Sequence, residues 1–241
     1  MEIKICHLYP DILNLYGDGG NILCMQKRLK WRGIESSVTR VPVGSALKLS
    51  DFDLVVIGGG QDFEHELMAE ELRRGSGREI RAAVNDGVTF LTVCGGFQLM
   101  GRHFKTNQGK TVEFAGALDM YTEAAKERLT GDIKFRCVEN ASDSVVVGFE
   151  NHSGRTYLSS SLSPLGLVLS GHGNNGEDGS EGAHFKNTYG TYSHGPVLPK
   201  NPQLCDHILL SALERKYGHT ELSPLDDTVE LAAHDFMVKR I

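Results

Sequence analysis

The sequence predicts an α/β fold in one domain spanning residues 1–241, with a mostly parallel central sheet, helices on both faces and antiparallel edge strands. Three observations carry this. Strand-like and helix-like segments alternate through the first hundred residues. The strands Leu54–Ile57 and Val88–Val93 are continuous apolar runs, as strands buried on both faces are. No linker, repeat or low-complexity stretch divides the chain.

The elements follow in order. Glu2–Leu8 alternates charged and apolar residues and reads as a strand. The glycine-rich segment Asp11–Gly20 is a turn. Asn21 is expected to cap a helix carrying Ile22, Met25 and Leu29 on one face, with Gly33 stopping it. Ile34–Val41 is a second strand. Leu54–Ile57 is a buried strand closed by Gly58, Gly59 and Gly60. Asp62–Arg74 and Arg78–Asn85 read as helices, the latter ended by Asp86 and Gly87. Val88–Val93 leads into Cys94, Gly95 and Gly96, and a helix is expected from Phe97. Residues 111–193 change character. Short alternating segments such as Asp132–Cys137, Ser144–Phe149 and Leu165–Leu169 are expected to add antiparallel or edge strands to the same sheet. Cys205–Tyr217 and Asp227–Lys239 read as closing helices.

Composition narrows the function. The 241 residues carry 25 basic and 31 acidic side chains, a net charge of −6, with 40% hydrophobic and 23% charged residues. That is an ordinary globular balance, without the basic stripe of a nucleic-acid binder or a polybasic membrane anchor. No apolar run is long enough to span a bilayer, and the N-terminus lacks the apolar core of a signal peptide. Membrane insertion and nucleic acid are therefore not expected. The five cysteines are widely spaced without a C-x-x-C pair, which excludes zinc knuckles and disulfide frameworks and suits a cytoplasmic, reduced chain. No metal site is expected. Glycine is the outlier, with 28 residues against a usual share of about 7%.

Two apparent nucleotide motifs fail on context. Residues 171–176 match G-x-G-x-x-G, but a polar loop follows where a helix is required. Residues 108–111 resemble the end of a P-loop, but Phe104 stands where its first glycine belongs.

Cys94 has the setting of a nucleophile. It ends a buried strand, precedes two glycines and opens a helix, so a tight turn lifts its side chain above the carboxyl edge of the sheet. The positive end of the helix favours thiolate over thiol. Such a nucleophile needs a base, and His194, at the sharp end of a short strand Tyr189–Ser193, is the candidate. Backbone N–H groups of Gly59, Gly60 and Gly95 could stabilise an oxyanion.

The segments IGGGQD, VCGGFQLMG and YGTYSHGPVLPKNP resemble the oxyanion, nucleophile and histidine segments of class I glutamine amidotransferases, in their cobyric-acid-synthase-like branch. Within it, LYPDILNLYGDGGN, YTEAAKERLTGDI and GFENHSGRTYL resemble the glutaminase subunits of lipid II isoglutaminyl synthases. The resemblance runs from about residue 3 to 218. It implies a flavodoxin-like fold and hydrolysis of L-glutamine through a Cys94 thioester, with His194 as base and then acid. It also implies that Gln98 lines the glutamine pocket and that Arg128 holds the substrate carboxylate. A Mur-ligase-like synthetase partner (MurT type) would receive the ammonia and carry the ATP and Mg, with no cofactor in this chain. One departure stands out. Most class I relatives place a glutamate two residues after the histidine. Here that position is Pro196, so the third catalytic role is unfilled by the motif, and a carboxylate from the partner could fill it.

Overall fold

The computed structural model describes residues 1–60, 65–138, 142 and 144–241. The chain runs β1 (Glu2–Leu8), α1 (Gly19–Trp31), β2 (Glu35–Val41), β3 (Leu54–Ile57), α2 (His65–Glu71), α3 (Gly77–Asn85), β4 (Thr89–Val93) and α4 (Gly95–Leu99). It continues through β5 (His103–Lys105), β6 (Thr111–Glu113), β7 (Met120–Cys137), β8 (Val145–Leu158), β9 (Gly166–Ser170), β10 (Ser180–Glu181), β11 (Ala183–Phe185) and β12 (Thr188–Thr191). Helices α5 (Val197–Lys200), α6 (Pro202–Tyr217) and α7 (Thr228–Arg240) follow. The first three residues of the helix expected at Asp62–Arg74 lie outside the described residues.

One six-stranded sheet has the order β11-β12-β4-β3-β1-β2. All its pairings are parallel except that of the edge strand β11 with β12. The apolar runs seen in the sequence are its central strands: every residue of β3 and β4 is buried. Ile57 pairs with Thr92, and Val93 with Thr191. This register brings the carboxyl ends of β3, β4 and β12 to one edge, where Gly58, Cys94 and the segment before His194 emerge.

The second half of the chain departs from expectation. Apart from β11 and β12, its strands do not extend the first sheet. They form a second six-stranded sheet, ordered β10-β9-β7-β5-β6 with β8 beside β7. The two long strands β7 and β8 pair antiparallel from Met120↔Leu158 to Arg136↔Val145, and satisfy each other's backbone without the parallel sheet. Alternation reveals that a strand has one buried face, not which sheet it joins. The β7–β8 ladder slips between Ala124 and Leu129, and that irregularity places Arg128.

Two helix starts also differ. Helix α1 begins at Gly19 with Asp18 in the capping position, three residues before the expected cap Asn21. The Asn21 side chain instead accepts a hydrogen bond from Leu198 N–H at 2.9 Å, tying α1 to α5. Helix α4 begins at Gly95 rather than Phe97. The second glycine-rich loop, 171–176, is fastened by a buried carboxylate: Glu150 accepts hydrogen bonds from the N–H groups of His172 and Gly173. It has no helix after it.

Candidate active site

The turn after β4 is strained in the way a nucleophile elbow requires. Cys94 has φ +50° and ψ −107°, a region that costs a non-glycine residue roughly 1–3 kcal/mol. Its N–H donates to Thr191 O at 2.8 Å, and its carbonyl accepts from Gln98 N–H at 2.9 Å, so β12 and α4 hold it from both sides. The following glycines are dictated by packing. A Cβ on Gly96 would lie 2.6 Å from Ile57 O and 2.7 Å from Gly58 O, and one on Gly95 would lie 2.8 Å from Gly60 N. The start of α4 therefore lies directly on the glycine turn after β3, with the Gly95 Cα against the Gly60 backbone.

His194 arrives from β12. Its N–H donates to Phe149 O at 2.7 Å, pinning it to β8 of the second sheet, and its side chain is fully buried. A Cβ on Gly59 would lie 2.8 Å from His194 Cε1 and 3.5 Å from Cys94 Cβ, so one glycine borders both side chains. Cys94 itself is 6% exposed. The motif around His194 carries no carboxylate. The structure supplies one from the glycine-rich turn: Asp18 Oδ1 lies 3.7 Å from His194 Nδ1, and both side chains are buried. The other Asp18 oxygen accepts the Gly59 N–H at 2.6 Å. Burial opposes charge on His194, but the neighbouring Cys94 and Asp18 outweigh it and push its pKa up to about 10. The arrangement can thus hold an imidazolium beside a sulfur nucleophile.

Over residues 4–202 the chain matches the family described as the CobB/CobQ-like glutamine amidotransferase domain. It belongs to that family. Two relatives align over most of both chains. One is the lipid II isoglutaminyl synthase (glutamine-hydrolyzing) subunit GatD of Staphylococcus aureus, 41% identical and covering 99% of this chain and 96% of its own. The other is the same subunit of Streptococcus pneumoniae, 39% identical and covering 90% and 83%. Cobyric acid synthase of Bacteroides fragilis is 31% identical over 67% of this chain but only 32% of its own length. In structure the chain is similar to PurLQS from Thermotoga maritima, with a TM-score of 0.61 and 17% identity over 89% of this chain and 99% of that one. A second fold relative is a glutamine amidotransferase from the same organism, with TM-score 0.54 and 15% identity over 99% and 92%.

As a glutamine amidotransferase the chain is a glutamine-hydrolysing enzyme, and its expected site residues fall into two groups. Cys94, His194, Gly59, Gly60 and Gly95 converge at the carboxyl edge of the parallel sheet. Within this group the Gly59 N–H donates to Asp18 Oδ2 at 2.6 Å. Gln98 lies one turn along α4 and is 3% exposed. Its amide nitrogen donates to Tyr192 Oη at 3.0 Å, and a Cβ on Gly154 would lie 2.4 Å from that nitrogen. Gln98 thus joins α4 to β8 and the β12 end. Arg128 stands on the second sheet, at the slip in the β7–β8 ladder. It lines a cavity of about 430 Å³ with Phe104, Gln108 and Ser153. It meets Asn151 twice, with Nε donating to Oδ1 at 2.7 Å and Nη2 to the backbone carbonyl at 2.9 Å.

Asp18, Tyr16 and Asn151 were missed. Asp18 follows β1 at the same carboxyl edge that singled out Cys94, and a carboxylate inside LYGDGGN was the available signal. Tyr16 packs edge-on against the His194 ring, with centroids 4.9 Å apart and planes at 64°; nothing in the sequence marks it. Asn151 lay within the quoted ENHSGRTY segment but carried no chemistry of its own there.

Proposed function

We propose that this chain is the glutaminase subunit of a lipid II isoglutaminyl synthase, acting in the cytoplasm on L-glutamine through Cys94 and His194. The observation that carries the reading is the 41% identity to GatD across nearly the whole of both chains. Cobyric acid synthase, by contrast, is about three times as long as the segment it shares. Among the described residues, no helix is long and apolar enough to cross a membrane.

In this mechanism Arg128 holds the substrate carboxylate. His194 takes the Cys94 thiol proton, the sulfur attacks the side-chain amide carbon, and the N–H groups of Gly60 and Gly95 receive the developing oxyanion. His194, its Nδ1 facing Asp18, gives a proton to the leaving nitrogen, and ammonia departs as the glutamyl thioester forms. His194 then takes a proton from water, which attacks the thioester and releases glutamate and the Cys94 thiol. Acid–base work of this kind contributes about 10²–10⁴-fold in rate. Asp18, whose Oδ1 lies 3.7 Å from Nδ1, supports the transient positive charge, as the carboxylate of a triad does. The ammonia passes to a Mur-ligase-like synthetase subunit of the MurT type. That partner activates the D-glutamate carboxyl of the peptidoglycan stem peptide, and ATP and Mg act there.

The test is glutamine-dependent amidation of lipid II by this chain with its Mur-ligase-like partner, read by mass spectrometry. Cys94→Ser should abolish amidation with glutamine and retain it with ammonium chloride. Amidation that persists with glutamine in Cys94→Ser would overturn the mechanism. Absence of amidation from either nitrogen source by the wild-type pair would overturn the choice of acceptor.

A further inference from the structure

We infer that Asn151 is a positioning residue that aims Arg128 at the substrate and, through Tyr16, fixes the cover over His194. The inference rests on the proposed roles of Arg128 and His194.

The observations form one chain of contacts. Asn151 sits on β8 two residues after Phe149, whose carbonyl holds His194. It pairs with Thr130 next to the slip in the β7–β8 ladder. Arg128 leaves the regular ladder there, so its guanidinium needs another support. Asn151 provides it with two acceptors from one residue, the side-chain oxygen at 2.7 Å and the backbone oxygen at 2.9 Å. Two bonds fix the plane of a guanidinium where one would leave it to swivel. The same Oδ1 accepts the Thr130 hydroxyl at 3.2 Å, which sets the amide orientation. With Oδ1 so committed, the amide nitrogen points away and donates to Tyr16 Oη at 2.7 Å.

Tyr16 is unusual at its own end. It is 48% exposed, yet its backbone is left-handed, with φ +55°. An exposed aromatic residue gains little by burial, so the strained turn is held by specific bonds. Those bonds are the Asn151 amide on the hydroxyl and the Leu15 N–H on Gly59 O at 3.0 Å. Between them the ring is set against His194. One asparagine therefore links the group that holds substrate to the ring that covers the base. Arg128 and Tyr16 should be coupled energetically, and that coupling should run through Asn151.

Steady-state glutaminase kinetics on the full chain test this. Asn151→Ala should raise the glutamine KM about tenfold and lower kcat about fivefold. Tyr16→Phe, which keeps the ring and loses the bond, should lower kcat about fivefold with KM within twofold. In a double-mutant cycle, Arg128→Lys and Tyr16→Phe should be non-additive in kcat/KM by at least threefold with Asn151 present, and additive in an Asn151→Ala background. The first half of the cycle keeps Asn151, so it decides even if Asn151→Ala folds poorly. An additive cycle with Asn151 present, or an Asn151→Ala enzyme with unchanged KM, would overturn the inference. Failure of the underlying reading looks different: Cys94→Ser would retain glutaminase activity, or Arg128→Ala would leave KM unchanged.

Discussion

Replacing Asp18 with asparagine keeps the shape of the side chain and removes its charge. Opposite unit charges 3.7 Å apart attract by roughly 4.5 kcal/mol at an effective dielectric of about 20. The loss is compounded by orientation. The Gly59 N–H, 2.6 Å from the carboxylate, must keep an acceptor, so the asparagine oxygen turns to it. The asparagine NH₂ then faces His194 Nδ1 and favours the tautomer with its proton on Nε2, the wrong one for a base. We expect kcat to fall about 10³-fold, equivalent to about 4 kcal/mol of barrier. Folding should be retained, because the Gly59 bond survives. A second effect has a definite sign. His194 is raised to about 10 chiefly against burial, by Cys94 and then Asp18. Removing one of these charges lowers that pKa, and the imidazolium is lost at a lower pH as pH rises. The alkaline limb of kcat/KM should therefore move toward neutrality. Coupled-enzyme detection of glutamate across pH, with and without the substitution, measures both. A kcat within threefold of wild type and an unmoved alkaline limb would refute the role given to Asp18.

Other substitutions probe the scaffold. Gly96→Ala would place a methyl group against two backbone carbonyls, Ile57 O and Gly58 O, neither of which can yield as a side chain does. Glutaminase activity should be lost with a stability cost of about 1–3 kcal/mol, read by urea denaturation, and an active variant of normal stability would contradict the packing argument. Arg28 is 2% exposed and makes two bonds each to Asp206 and Asp227, joining α1 to α6 and to the start of α7. Arg28→Ala should cost about 3 kcal/mol by leaving Asp227 without its guanidinium and Asp206 with Arg32 alone, lowering Tm by roughly 6–12 °C in a thermal scan; a shift under 2 °C would refute it. The pH dependence follows from Asp206. Burial opposes its charge, but Arg28 and Arg32 hold it below the usual carboxylate range. Its stabilisation is present above about pH 4 and disappears as pH falls through the lower folded value, so Arg28→Ala should flatten the acid limb of the stability curve.

Much of the site was legible because its signals are local. Cys94 could be found from a buried run, a polar residue and two glycines, since a tight turn off a parallel strand permits little else. His194 was legible from a strand end and a glycine turn, and the parallel register Val93↔Thr191 explains why the two meet. What escaped depends on contacts between distant segments. Asp18 lies beside a histidine 176 positions away, and the positions after His194 suggest only that no acid is near. Asn151 gains its place from a slip in the β7–β8 ladder that alternation does not reveal. The second sheet was misjudged for the same reason: strand pattern specifies a buried face and leaves the pairing partner open.

The central claim is that a glutamyl thioester forms on Cys94. Intact-protein mass spectrometry after treatment with a glutamine-mimicking diazoketone, followed by peptide mapping, tests it most directly. The account predicts a single adduct, located on Cys94, with loss of ammonia release in step with labelling. Cys6, Cys24, Cys137 and Cys205 should stay unmodified in the native protein. An adduct on another cysteine, or full labelling of Cys94 with undiminished ammonia release, would contradict it.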